Sequence, residues 1–121
     1  MQEYKLDREG QRYLKFTGEE LVSYSNKEYN DTRWTRYHIY KTKGGRYVLQ
    51  VECLSNWQGE EDRDYAGTFK DGLELVELVQ EFVFGDTRDY GDAYSADAKY
   101  LLSELQEADS TFDARETEEI D

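Results

Sequence analysis

Apolar and polar positions alternate through the first half of the chain and recur at helical spacing in the second. Arg12-Tyr13-Leu14-Lys15-Phe16 alternates between Gly10 and Gly18, and Leu21-Val22-Ser23-Tyr24 follows; both runs read as strands. The clearest element is a hairpin. Arg33 to Thr42 is rich in aromatic and β-branched residues, Gly44-Gly45 supplies the turn, and Tyr47 to Leu54 returns. A glycine pair between such runs can take positive φ without steric cost. A two-residue turn there pairs Lys43 with Arg46, Thr42 with Tyr47, Tyr40 with Leu49, His38 with Val51 and Arg36 with Cys53. The expected core face is then Trp34, His38, Tyr40, Leu49, Val51 and Cys53. The water-facing side carries Arg33, Thr35, Tyr37, Lys41, Gln50 and Glu52, mixed with Ile39 and Val48.

Residues 55–70 read as a polar loop that can end in a short strand at Tyr65–Phe69. The period then changes. Asp71 is a candidate N-cap, and Glu74 completes a capping box. Leu75, Leu78, Val79 and Phe82 follow at helical spacing, with Gly85 where a C-cap belongs. Ser95 is a candidate cap for a second helix, whose stripe is Ala98, Leu101, Leu102, Leu105 and Ala108. Thr111 to Asp121 reads as a last helical turn or an acidic tail. Strands followed by helices predict an α+β fold: an antiparallel sheet in the N-terminal half with two C-terminal helices packed on one face. The expected organisation is a single domain over 1–121. Residues 1–58 are mainly strands, and 59–121 hold an acidic loop, the two helices and an acidic tail.

Composition narrows the class. The apolar share is 37%, below the ~45–50% usual for globular domains. The aromatic share of 15% nevertheless separates the chain from disordered polyelectrolytes, which lack large rings. Cys53 is the one cysteine, so no intrachain disulfide can form. With no apolar leader at the N-terminus and no run long enough to span a bilayer, a cytoplasmic location is expected. Asn30-Asp31-Thr32 matches a glycosylation sequon, which has no expected role in such a location. The net charge of -13 is unevenly placed. Residues 1–58 hold ten bases against eight acids, while 59–121 hold five bases against twenty acids. A partner would meet one nearly neutral half and one strongly negative half.

Candidate chemistry is sparse. In the register above, Cys53 and His38 share a face, offset diagonally by roughly 7–8 Å. A nucleophile–base pair needs the two side chains within hydrogen-bond reach and a group that orients the histidine, and Arg36 opposite Cys53 could lower the thiol pKa; a buried cysteine beside a core histidine is the plainer reading. One Cys and one His cannot build a structural zinc site. Asp62-Arg63-Asp64-Tyr65-Ala66-Gly67 begins like a calcium loop but fails at Ala66 and at Leu73. Asp86, Asp89 and Asp92 form a second acidic stretch without the required spacing. No metal, no cofactor and no catalytic residues are expected, and no GxGxxG, P-loop or GxSxG pattern is present. Arg33, Tyr37 and Lys41, with Lys43 and Arg46 at the turn, could stack on nucleic acid, but the net charge opposes direct nucleic-acid binding.

The acidic half offers the stronger candidate. Glu74, Glu77 and Glu81 recur at helical spacing on the first helix, as do Glu104 and Glu107 on the second. Rows of carboxylates on rigid helices can imitate a phosphate backbone. These residues are the expected partner-binding set of a non-enzymatic acidic protein. Its expected partner is a basic surface of a nucleic-acid-handling protein, engaged as an inhibitor, immunity factor or nucleic-acid mimic of the anti-CRISPR or anti-restriction kind. The alternative is an interaction module using the aromatic sheet face, with acidity serving solubility.

Phe16-Thr17-Gly18, Arg33-Trp34-Thr35 and the run Tyr40 to Leu49 resemble small, uncharacterised bacterial proteins of the EXLDI type. The resemblance covers about the middle third of the chain. It implies a hairpin of this kind and a bacterial or phage origin, and brings no known activity. The terminal Glu118-Glu119-Ile120-Asp121 departs from that family's acidic-hydrophobic ending.

Overall fold

The computed structural model describes residues 1–84 and 94–115. Five strands, β1 (Gln2–Leu6), β2 (Leu14–Ser25), β3 (Arg33–Thr42), β4 (Tyr47–Ser55) and β5 (Arg63–Phe69), form one sheet. Each pairs antiparallel with the next, in the order β1-β2-β3-β4-β5. Helix α1 (Gly72–Val79) runs into a π-helical turn (Gln80–Phe84), and α2 (Tyr94–Ala108) follows. The α+β arrangement expected from the pattern is the one formed, with both helices on one face of the sheet.

The β3–β4 register differs from the expected one by a single residue. Lys41 faces Tyr47, Ile39 faces Leu49, Tyr37 faces Val51 and Thr35 faces Cys53. The cause is the turn. Gly45 N–H donates to Thr42 O, and Thr42 N–H donates to Arg46 O. Gly45 alone takes a positive φ, +86°. This three-residue loop adds one residue to the connection, and a slip of one turns every side chain of β3 over. Tyr37 and Ile39 are therefore fully buried against the helices with Leu49, Val51 and Cys53. Trp34, His38 and Tyr40 lie on the opposite face, contrary to the expectation. The β4 half of the predicted core stands.

That opposite face is not simply wetted. The sheet curls so that Leu6, Tyr40, Val48 and Ala66 form a second small core, flanked by Tyr4, Leu14 and Phe16. Glu9 N–H, in the β1–β2 loop, donates to Asp64 O on β5. The two ends of a five-stranded meander thus approach each other, a half-closed barrel. Strand β2 runs unbroken through Gly18, which was expected to punctuate it. A Cβ at Gly18 would lie 2.3 Å from Lys41 O, so glycine is needed for close strand approach.

The main core lies between sheet and helices. Leu75 and Val79 of α1, and Ala98, Leu101 and Leu105 of α2, meet Tyr37, Ile39, Leu49 and Val51. Full burial of each large apolar side chain contributes about 1.5–3 kcal/mol. Asp71 caps α1 as expected, its side chain accepting from Glu74 N–H. Glu74 returns the bond to Lys70 N–H, one residue earlier than a capping box requires. Helix α2 begins at Tyr94, so Ser95 sits within its first turn and is not its cap. After α2 the described chain stays against the core: Phe112 is buried and Ala114 packs on it. The expected cap Gly85, the stretch Asp86 to Asp92, and Glu118 to Asp121 lie outside the described residues.

Candidate functional site

Among the described acids of the second half, Asp71, Asp97, Asp109 and Asp113 form hydrogen bonds within the fold. Asp97, 3% exposed, accepts from Tyr37 OH at 2.6 Å and from Asn26 Nδ2 at 2.9 Å. Asn26 in turn accepts from Thr35 N–H. Burial pushes the Asp97 carboxyl above its ordinary range, and the two donors pull it back. Asp109 accepts from Lys41 Nζ at 2.7 Å, Tyr47 OH at 2.6 Å and Thr111 Oγ1 at 2.6 Å. Lys41 first among these holds Asp109 well below the usual carboxylate range. Asp113 pairs with Arg115, and Asp71 caps α1. Asp97 and Asp109 thereby pin the two ends of α2 to the sheet.

The helical glutamates face outward. Glu77, Glu81 and Glu107 are exposed, while Glu74 and Glu104 are half-buried. Glu74, Glu77 and Glu81 come together as expected, lining a shallow depression of about 240 Å³ with Thr68 and Leu78. Glu74 differs from the other two. It holds Lys70 through its backbone bond and a 3.7 Å ion pair, and with Lys70 it borders a second hollow that contains Arg46. Its charge is therefore partly answered within the molecule. Glu104 and Glu107 stand on α2, outside that depression. A further group of acids, Glu9, Glu60, Glu61 and Asp62, lines a separate hollow beside the β4–β5 loop. Glu60 there is held by Arg33 and Ser55. The negative charge is thus carried at more than one place on the surface.

The remaining predicted chemistry is separated by the register. Cys53 is fully buried under the helices, and His38 points to the other face of the sheet, so the two do not meet. His38 sits between two carboxylates instead, its Nδ1 2.8 Å from Glu20 Oε1 and its Nε2 2.8 Å from Glu52 Oε1. Arg36 Nε reaches the same Glu52 oxygen at 3.1 Å. The Glu52 hydrogen bond is the main cause that raises His38 above its ordinary value, with Glu20 adding to it. Reciprocally, Glu52 is held low by His38 and then by Arg36. Residues Asp62 to Gly67 do not form a calcium loop, because Arg63–Phe69 is a strand paired along β4. Among the described residues no group of His, Cys, Asp or Glu is arranged to hold a metal ion. Tyr37, expected on the water-facing side, is fully buried, and Lys41 is tied to Asp109. Among the described residues no helix is long and apolar enough to cross a membrane.

Pattern reading missed the sharing of labour between aspartate and glutamate. A usable signal was present: the glutamates recur at helical spacing, whereas Asp71, Asp109 and Asp113 fall at helix ends and turns, where short carboxylates reach backbone donors.

The fold and its surface define a class, a curled five-stranded antiparallel meander with two helices on one face and an acidic helical exterior. No family model, no curated protein and no solved structure matches the chain.

Proposed function

We propose that the protein is a non-enzymatic acidic binding domain that engages a basic surface on a nucleic-acid-handling protein, as an inhibitor or nucleic-acid mimic does. The observation that carries this reading is the groove beside α1. There Glu77 on α1 and Glu81 on the π-helical turn are exposed next to Glu74, while Asp71, Asp97 and Asp109 are engaged within the fold. Carboxylates fixed at helical spacing present an ordered negative row, and a cationic partner gains from ion release on meeting it. Glu104 and Glu107 extend the acidic exterior along α2 and serve as a secondary contact. The EXLDI-type resemblance is compatible with a bacterial or phage source for such a binder.

The test is capture from a bacterial lysate at low and high salt by the wild-type chain, by E77K/E81K and by E104K/E107K. The expected result is a set of basic nucleic-acid-binding proteins retained at low salt, released at high salt, and lost with E77K/E81K while far-UV circular dichroism is unchanged. Retention of the same proteins by both charge-reversed variants would overturn the reading.

A further inference from the structure

Among the described residues of this strongly acidic molecule, the β1–β2 hairpin carries a concentrated patch of the opposite sign. Lys5, Arg8, Arg12 and Lys15 line an open depression of about 680 Å³ on the β1–β2 hairpin, together with Asp7, Gln11 and Tyr13. Four cations line it with one carboxylate, Asp7, while Glu3 stands beside Lys15, in a chain whose net charge is -13. The volume falls within the roughly 300–1,000 Å³ of small-molecule sites.

The patch is held in shape. Register pairs Lys5 with Lys15 across β1 and β2, so two cations sit side by side on one rung. Like charges directly opposite destabilise a ladder unless something answers them. Glu3 answers Lys15 at 3.0 Å, but both side chains are more than 60% exposed, and such a surface pair is weak enough for a ligand to displace. The loop above this rung is braced. Arg8 Nε donates to Arg12 O at 2.8 Å, which fixes the guanidinium plane. Gln11 N–H donates to Arg8 O, and Glu9 N–H is anchored on β5 at Asp64 O. A cationic loop tied at its centre loses little freedom when an anion arrives. Tyr13, 59% exposed, lies under Lys5 Nζ at 4.3 Å and offers a ring face at the same place.

We propose that this depression binds a small ligand through two or more phosphoryl groups. The arginines suit forked hydrogen bonding to phosphate oxygens, and the lysines supply point charges. A single carboxylate or chloride would leave most of the local positive charge unanswered. At physiological salt the field of the distant glutamates is screened beyond about 8 Å, so the local cations decide. The ligand can be a free polyphosphate or a nucleoside polyphosphate, in which case the base stacks on Tyr13. The site uses no residue of the acidic groove, so it stands or falls independently of that reading.

The experiment is isothermal titration of the full chain with sodium tripolyphosphate and with ATP, in low-salt buffer without divalent cations. Saturable one-to-one binding is expected, weakened by added salt. The R8Q/R12Q variant should bind at least about tenfold more weakly, since it loses charge-assisted hydrogen bonds to the phosphate oxygens. K5Q/K15Q alters only exposed strand residues and gives a second reading if the loop variant misfolds; it too should weaken binding several-fold. Stronger binding of ATP than of tripolyphosphate, lost in Y13A, identifies a nucleotide; equal binding identifies phosphate chemistry alone. Absence of saturable heat with both compounds, or affinity unchanged in both cation variants, would overturn the proposal.

Discussion

Tyr37 OH donates to Asp97 Oδ2 at 2.6 Å, across the interface between β3 and α2 and over sixty residues of sequence. The bond joins a fully buried phenol to a carboxylate that is itself 3% exposed. Neither group can be satisfied by water, so each depends on the other. Removing one partner should cost more than replacing it. Asp97→Ala strands the Tyr37 hydroxyl and the Asn26 amide, and should lower stability by about 2–4 kcal/mol. Asp97→Asn keeps an acceptor oxygen without a buried charge and should stay close to wild type. Urea unfolding of both variants checks the contrast; equal losses would mean that packing, not hydrogen bonding, governs the site.

The same carboxyl sets a pH trend. Burial raises the folded-state value of Asp97, so its favourable contribution is fully present below the ordinary aspartate value of 3.8. It is lost as pH rises through the raised value, because the native state then has to accommodate a buried charge. The stability gap between wild type and Asp97→Asn should therefore change in favour of wild type as the solution is acidified through that range. A set of denaturation curves from below pH 3.8 up to neutral pH reads this directly.

His38 titrates in the opposite direction to a buried, unpartnered histidine. Glu52 and Glu20 raise its folded-state value above the ordinary 6.5. Its contribution is present below 6.5 and lost as pH rises through the raised value; that of Glu52, whose value is lowered from 4.5, is lost as pH falls through the lowered one. The cluster is strongest between these limits. Nitrogen-detected NMR of the imidazole should show the doubly protonated ring as the larger population at pH 6.5, and Glu52→Gln should move the titration midpoint down. A midpoint unmoved by Glu52→Gln would show that Glu52 does not control it.

Cys53 should be inert in the folded chain. It is fully buried beneath the helices, so a thiol reagent such as DTNB should react only as fast as the protein opens. Rapid stoichiometric labelling without denaturant would contradict its placement.

Gly72 touches the end of the described chain. A Cβ there would lie 2.5 Å from Ala114 C and O, and Gly72 N–H donates to Asp113 O at 2.7 Å. Gly72→Ala should force the 113–115 segment away and cost about 1–3 kcal/mol. Faster proteolytic cleavage after α2, with the core spectrum retained, is the expected signature.

Much of the architecture was legible in the residue pattern. The β3 and β4 runs, the α1 cap at Asp71 and the stripe Leu101, Leu102, Leu105 all depend on neighbours a few positions away, which a local reading sees. Strand β1 was missed because Gln2 to Leu6 is mostly exposed at the sheet edge and alternates weakly. The β3 face was misread because both of its faces are aromatic. Tyr37 and Ile39 on one side compete with Trp34 and Tyr40 on the other, so hydrophobicity did not discriminate and the turn decided.

By itself, then, the sequence determined the order and kind of elements, the acidic imbalance between its halves, and the glutamate rows at helical spacing. Tertiary structure alone decided which carboxylates face water, that Cys53 and His38 are parted, and that Lys5, Arg8, Arg12 and Lys15 surround one hollow. The physical reason is range. Periodicity and capping act within a turn or a strand. A carboxylate's role depends on whether a donor such as Tyr37 or Lys41 reaches it from another element, which only the β3–β4 register and the curl of the sheet establish.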